Sequence, residues 1–289
     1  MKNLILAIFT IIIAFSTFTS CSNDNNKINE EENLMRNLRT YNISNENSSF
    51  STSKKCVGFW NCLGYVAQVA GADIIGAGTG VVVVKEAAAA LGAVSGGTGA
   101  VVLMVGSGVI CGAGASYAAA RTADTDYTKP NVEYGNLQIE IPAEFSSFEN
   151  IGIRHNNVIH NNFFNGESIE NFYNTFTNEE RHILKSELVI NANEKLKLAS
   201  ANYVSSNFDY KTLTQKMVNE GYYTINMKLV SDLFLERYFE CSENIDMENT
   251  INFYIDQVSK SNLTETEKQA LIASFIVASQ SPYYLLDTK

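Results

Sequence analysis

Three histidines are the side chains of this chain best suited to acid–base or metal chemistry. His155 and His160 lie five residues apart, so a helix would direct them to different faces and not to one metal ion. His182 follows acidic residues, and a site built from His182 and Glu179 is compatible with the sequence. The best serine nucleophile, Ser116 in GASYA, lacks the last glycine of a nucleophile elbow. These patterns predict neither a catalytic centre nor a metal site, and we expect a non-enzymatic protein.

The many glycines do not form a phosphate-binding loop. Gly76, Gly78 and Gly80 alternate, which does not fit G-x-G-x-x-G, and Lys85 follows a valine where a Walker loop needs glycine. The formal net charge of −10, with no Lys/Arg cluster, opposes binding to the phosphates of nucleic acid. We therefore predict no cofactor and no nucleic-acid partner.

The first twenty residues have the features of an export signal. Lys2 precedes an apolar run from Leu4 to Phe18, which is too short and wrongly flanked for a stable membrane-spanning helix. Cys21 follows this run directly. The arrangement resembles the lipobox of bacterial lipoproteins, in a relaxed form similar to that of Bacteroidota lipoproteins, with Phe18 and Thr19 at two of its specificity positions.

This resemblance implies that residues 1–20 are removed and that Cys21 becomes the acylated N-terminus. The cysteine thiol would carry diacylglycerol and the new amino group a further acyl chain such as palmitate. Two or three acyl chains hold a protein durably on a bilayer, whereas one does not. Ser22 after the cysteine implies, by lipoprotein sorting rules, the outer membrane. We expect a lipid-anchored protein of the bacterial cell envelope.

Four further cysteines would then lie in an oxidising compartment, where disulfides persist. Cys56 and Cys62 could close a small loop, and Cys111 and Cys241 could then join the middle of the chain to its C-terminal region. Four cysteines allow three pairings, and the sequence does not choose between them. Zinc is not predicted, because the chain has no CxxC pair with a histidine nearby.

The segment after Cys21 is rich in Asn, Ser and Glu. Residues 21–55 contain too little apolar surface to offset the entropy of ordering, so they predict a flexible tether. A short helix around Glu31–Leu38 is compatible with the sequence but would be marginal alone.

Residues 56–122 are predicted to form a helical hairpin, because residues 63–120 (the Gly/Ala segment) are apolar, small and almost uncharged. Lys85-Glu86 divides this segment, and the glycine-rich stretch at 95–99 interrupts it. Small residues four apart would let helices approach closely, as in a glycine zipper. The pairs are Gly76/Gly80, Gly92/Gly96 and Gly108/Gly112. Two hypotheses stand: a hairpin buried against the protein, or a hairpin that inserts into a membrane, where Asp73 would be costly.

The remainder of the chain is predicted to be a connector and a helical domain. Residues 123–148 hold two of the three prolines, and residues 149–289 have helical periodicity with five to seven short helices. Two sequences fit capping boxes, Thr177-x-x-Glu180 and Thr264-x-x-Glu267. Together with the hairpin, these patterns predict an all-α fold.

One short motif in the C-terminal region resembles a known pattern. Gly152-x-x-His155-Asn156 is similar to a motif that opens helical domains in uncharacterised Bacteroidota lipoproteins, some with a Gly/Ala-rich segment upstream. This resemblance implies no activity. Gly152 would permit a tight turn, and His155 and Asn156 would cap or crosslink neighbouring helices.

The sequence therefore predicts a cell-envelope lipoprotein with a non-enzymatic interaction or structural role. Its expected partners are membrane lipid, through Cys21, and a protein partner or a second copy, through the Gly/Ala segment. A second hypothesis is a membrane-inserting effector that resembles bacteriocin-like or pore-forming proteins and uses the same segment.

Overall fold

The structure, a computed structural model, describes six ranges of the chain: residues 21–45, 65–92, 98–122, 137–205, 209–241 and 243–287. Within these ranges every regular element is a helix, which confirms the predicted all-α fold. Several predicted features lie outside the described residues, namely the signal at residues 1–20, Cys56, Cys62 and Gly96.

The described part of the chain forms eleven α-helices, with a 3₁₀-helix before the fourth and a π-helix after it. They are α1 (Cys21–Ser44), α2 (Tyr65–Ala90), α3 (Thr98–Thr122), the 3₁₀-helix (Ala143–Phe148), α4 (Ile151–Val158), the π-helix (Ile159–Phe164), α5 (Glu170–Tyr173), α6 (Asn178–Leu184), α7 (Glu187–Ser205), α8 (Tyr210–Asn219), α9 (Ile225–Glu240), α10 (Asn244–Ser259) and α11 (Glu265–Asp287). The C-terminal bundle thus has eight α-helices, one more than the upper end of the expected range, and α5 is a single turn.

Helices α2 and α3 form an antiparallel hairpin in which the two backbones approach closely. A Cβ added at Gly76 would lie 2.9 Å from the Gly112 Cα, and one added at Gly80 would lie 2.8 Å from the Gly108 Cα. Carbon atoms in packed interiors stay about 3.5–4.0 Å apart, so this spacing requires glycine. Helix α11 covers α2, and α7 covers α3.

The hairpin is the core of the described structure. Every residue of α2 from Gly71 to Val81 is buried. Within α3, the stretch Gly99–Thr122 is long and apolar enough to cross a membrane, with a mean hydropathy of 1.7, yet 78 % of its most apolar part is buried inside the fold. The apolar surface that suggested a membrane segment is therefore covered by the protein's own helices.

Two details of the predicted hairpin are wrong. Lys85 and Glu86 do not divide the segment but lie inside α2, because the Lys85 Nζ reaches α11 and donates to the Thr266 Oγ1 at 2.7 Å. Gly92 does not pack against a helix: no atom outside its neighbours lies within 4 Å of its Cβ position. Its φ of +67° instead ends α2 in the left-handed conformation that glycine adopts easily.

Part of the predicted flexible tether is helical. Helix α1 covers Cys21–Ser44, and the Tyr41 ring stacks on Phe253 of α10 with centroids 3.9 Å apart. The polar composition of the predicted tether does not reveal the apolar stripe along one face of α1. This helix is stable only when its stripe packs against α9 and α10. That stripe is buried at Leu34, Met35 and Leu38. Residues 46–55 of the predicted tether lie outside the described residues.

Both predicted capping boxes are present. The Thr177 Oγ1 accepts from the Glu180 N–H at 3.2 Å, and the Glu180 Oε2 accepts from the Thr177 N–H at 2.9 Å. Thr264 and Glu267 exchange the same two bonds at the start of α11. These bonds satisfy backbone donors that a helix start leaves unpaired, so they define where α6 and α11 begin.

The change Gly80→Ala places a methyl group where the hairpin has no room. We expect it to lower the free energy of unfolding by about 1–3 kcal/mol, because overpacking outweighs the better helix propensity of alanine. Gly99→Ala is the matched control, since nothing lies within 4 Å of its Cβ position, and it should be neutral or slightly stabilising. Urea denaturation measures both changes, and equal effects would contradict the close approach.

Candidate functional site

Helix α4 contains the Gly152-x-x-His155-Asn156 motif and packs it against the hairpin. Ile151 and His155, four residues apart, form a ridge that packs against α3. A Cβ added at Gly108 would lie 2.9 Å from the Ile151 Cδ1, and one added at Gly112 would lie 2.9 Å from the His155 Cδ2. The glycines that let α2 approach α3 therefore also make room for α4.

The other two motif residues attach α4 to α11. The Asn156 Nδ2 donates to the backbone carbonyl of Gln280 at 2.9 Å, so Asn156 crosslinks two helices as the sequence predicts. The expected tight turn at Gly152 is wrong, because Gly152 lies in the first turn of α4. Its Cβ position lies 2.9 Å from the Ile276 carbonyl oxygen, so glycine is needed there for close helix packing.

His155 lies at the centre of a buried polar group, the His155 cluster, made up of Asp73, Ser116, His155 and Asn156. The His155 Nε2 is 3.8 Å from the Asp73 Oδ1 and 3.5 Å from the Ser116 Oγ. Its Nδ1 is 3.2 Å from the Asn156 Oδ1. Asp73 and His155 are fully buried, and Ser116 is 1 % exposed. The cluster joins α2, α3 and α4 inside the core.

The cluster contains the residue types of a serine hydrolase but not their arrangement. In a catalytic triad the serine faces one imidazole nitrogen and the carboxylate faces the other. Here Ser116 and Asp73 both face Nε2, and Ser116 donates to the Gly112 carbonyl at 3.1 Å. Burial lowers the pKa of His155 to about 4, so the ring is neutral at pH 7. This geometry holds helices together and gives a substrate no access.

Of the pairings that the sequence left open, the one between Cys111 and Cys241 is absent from the described structure, where both are free, buried thiols. The two thiols lie in different places. Cys111 is in α3, where its carbonyl oxygen faces Gly76. Cys241 directly follows α9, and its Sγ donates to the Arg237 carbonyl at 3.4 Å. Burial raises the pKa of Cys111 to about 12 and that of Cys241 to about 11. Both thiols are protonated at pH 7 and are therefore poor nucleophiles.

The remaining histidines are not part of a common site in the described structure. His160 lies in the π-helix and His182 in α6, and both are exposed. Glu179 is exposed in the first turn of α6. Among the described residues no group of three His, Cys, Asp or Glu side chains could hold a metal ion.

The outer face of α4 opens on a polar cleft of about 220 Å³, here called the Arg154 cleft. The Arg154 guanidinium lies over the rings of Phe172 and Phe176, 5.4 and 5.3 Å from their centroids. Such cation–π contacts orient a guanidinium without neutralising it. The residues that line the cleft are Arg154, Asn157, Val158, Asn161, Asn162, Glu167, Asn171, Phe172 and Thr175.

The hairpin also positions this cleft. The Phe176 ring enters the space left by Gly106 of α3, where a Cβ would lie 2.8 Å from the Phe176 Cζ. The Arg181 Nη2 donates to the Phe176 carbonyl at 3.2 Å. Sequence analysis missed the cleft, although the repeated asparagines around His155-Asn156-Asn157 and His160-Asn161-Asn162 beside an arginine were a visible signal.

No family model matches this chain, and neither a curated protein nor a solved structure does. Two features of α4 bear on function: its inner face carries the closed His155 cluster, and its outer face carries the open Arg154 cleft.

The neutral state of His155 predicts a pH-dependent stability. The folded-state pKa of about 4 lies below the usual 6.5, so the unfolded chain binds more protons between these values. The contribution of neutral His155 to the free energy of unfolding is fully present above about pH 6.5. It is lost as the pH drops toward 4, and the loss amounts to about 3 kcal/mol. Asp73, whose Oδ1 lies 3.8 Å from the His155 Nε2, remains in every variant compared.

Urea denaturation at pH 7 and pH 4 measures this loss. We expect His155→Gln, which cannot titrate, to lose less stability over this interval than the unmodified chain. His182→Gln, at an exposed histidine, should behave like the unmodified chain. The same pH dependence in all three proteins would show that His155 is not held neutral by burial.

Proposed function

We propose that this protein is a cell-envelope lipoprotein that acts by binding and not by catalysis. The burial of the His155 cluster carries this proposal. The side chains most similar to a hydrolase site are closed to substrate and crosslink helices, whereas the Arg154 cleft is an open polar surface. That cleft has the concave shape and convergent polar groups of a binding site.

The hairpin in this proposal is an internal scaffold. Gly76, Gly80, Gly108 and Gly112 are occupied by the chain's own helices, so they are not available to a partner while the fold is intact. Partner binding is accordingly assigned to another surface, and the Gly/Ala segment serves to position α4.

The acyl anchor in this proposal is Cys21, the first residue of α1. At 1.5 Å of rise per residue, thirteen residues of helix separate Cys21 from the buried Leu34 by ~20 Å. An anchor at Cys21 would therefore keep the folded domain close to the bilayer. The short signal and the cysteine directly after it favour a lipid anchor, and Ser22 favours the outer membrane as the site of attachment.

Metabolic labelling with radioactive palmitate tests this anchor. We expect label in the full chain expressed in bacteria and none in Cys21→Ala, because Cys21 provides both acylation positions. Cys111→Ala is the control, since its buried thiol should not affect labelling. An unlabelled full chain, or label that survives Cys21→Ala, would overturn the lipoprotein proposal.

A second candidate function is membrane insertion as a pore-forming or bacteriocin-like effector. The length and hydropathy of Gly99–Thr122 favour it. Insertion would require the hairpin to leave its contacts with α7 and α11 and would expose Asp73 to lipid, at considerable cost. Dye release from liposomes by the purified chain would favour this candidate over the binding role.

A further inference from the structure

The Arg154 cleft contains a cation that the fold orients and that no described side chain neutralises. Arg154 is half-buried between Phe172 and Phe176. Among the described residues, no carboxylate oxygen lies within 4.0 Å of its guanidinium nitrogens. Burial lowers the pKa of Arg154, which still leaves it charged at pH 7. A partly desolvated cation without a counterion favours binding of an anionic group.

The same cleft contains an anion, Glu167, that has no ionic partner among the described residues. Glu167 follows Gly166, whose φ of +70° turns the chain back toward the π-helix. Its backbone is fixed by a bond from the Glu167 N–H to the Asn161 carbonyl at 2.9 Å and by a bond from the Asn162 Nδ2 to the Glu167 carbonyl at 3.0 Å. No described cation lies within 4.0 Å of its carboxylate.

Amide side chains cover the rest of the polar wall. Asn157, Asn161 and Asn171 each offer two donors and an acceptor. Amides can therefore bond carboxylate or phosphate oxygens and ammonium hydrogens alike. The cleft also lies beside a π-helix, an element that occurs often at functional sites.

From these features we propose that the Arg154 cleft binds a small zwitterion, with its oxyanion on Arg154 and its ammonium group on Glu167. A ligand with only negative charge would be repelled by Glu167, and one with only positive charge by Arg154. The volume of about 220 Å³ fits a molecule the size of an amino acid. A free amino acid and a phosphoethanolamine headgroup share this chemistry. The inference rests on the proposed binding role but not on the acyl anchor.

The Arg154 side chain is held before a ligand arrives, which lowers the ordering cost of binding. It is fixed by two rings, and one of them, Phe176, is packed into the hairpin at Gly106. Glu167 is exposed, and its backbone is held by the two hydrogen bonds to Asn161 and Asn162 of the π-helix. Removal of either charge should therefore weaken binding without a rearrangement of the fold.

Isothermal titration calorimetry of the mature full chain in detergent tests the proposal. The ligands are L-serine and glycerophosphoethanolamine, whose phosphodiester carries one negative charge as a lipid headgroup does, with acetate and ethylamine as singly charged controls. We expect at least one zwitterion to bind and both controls to bind at least roughly tenfold more weakly, since each lacks one charge-assisted contact. Preference for L-serine indicates a free amino acid, and preference for glycerophosphoethanolamine indicates a lipid headgroup.

Matched variants locate the site. Arg154→Gln and Glu167→Gln should each weaken zwitterion binding at least tenfold, whereas Arg154→Lys should retain part of it. Glu170→Gln is the control, because Glu170 is an exposed glutamate three residues from Glu167 that pairs with Lys185 outside the cleft. Thermal unfolding confirms that each variant is folded.

Three results would overturn the inference: no zwitterion binding at millimolar ligand, acetate binding as tightly as the zwitterions, or full binding by Glu167→Gln. None of them depends on palmitate labelling. The proposed ligand class can therefore be refuted without affecting the lipoprotein proposal, and the lipoprotein proposal can be refuted without affecting the ligand class.

Discussion

The backbones of α2 and α3 approach so closely that Gly76 and Gly80 have no room for a side chain. Gly108 and Gly112 have none because Ile151 and His155 of α4 occupy the space beside them. This contact determines the positions of the other helices. Gly108 and Gly112 leave a shallow groove on α3, and the ridge of α4 formed by Ile151 and His155 packs into it. Helices α7 and α11 cover the remaining faces of the hairpin. Dispersion and burial act over this whole interface, so the stability of the fold depends on residues that have almost no side chain.

The polar groups at the centre of this apolar core follow from the same packing. The groove at Gly112 admits the imidazole of His155, which lies near Asp73 and Ser116. Buried polar groups are costly unless they are satisfied, and satisfied ones specify a single arrangement of helices. The His155 cluster therefore sets the position of α4 on the hairpin. Since α4 also carries Arg154, the same contact holds the cleft on its outer face.

The sequence predicted features that depend on local pattern. The all-α fold and the two capping boxes follow from periodicity and spacing within a few residues, and both are confirmed. Features that depend on distant contacts were missed or wrong. Helix α1 needs α9 and α10 as partners. Lys85 remains inside α2 because its ammonium group donates a hydrogen bond to Thr266 of α11. The Arg154 cleft combines residues from α4, the π-helix, the turn at Glu167, α5 and Thr175, which no spacing rule brings together.

The Gly/Ala hairpin is a structural core, and in our proposal it positions a binding surface. Amide hydrogen exchange of α2 and α3 in the full chain, with and without liposomes, distinguishes such a core from a membrane-inserting segment. We expect these amides to exchange only through global unfolding and equally slowly in both conditions. Rapid exchange in water, with protection appearing only when liposomes are added, would contradict it.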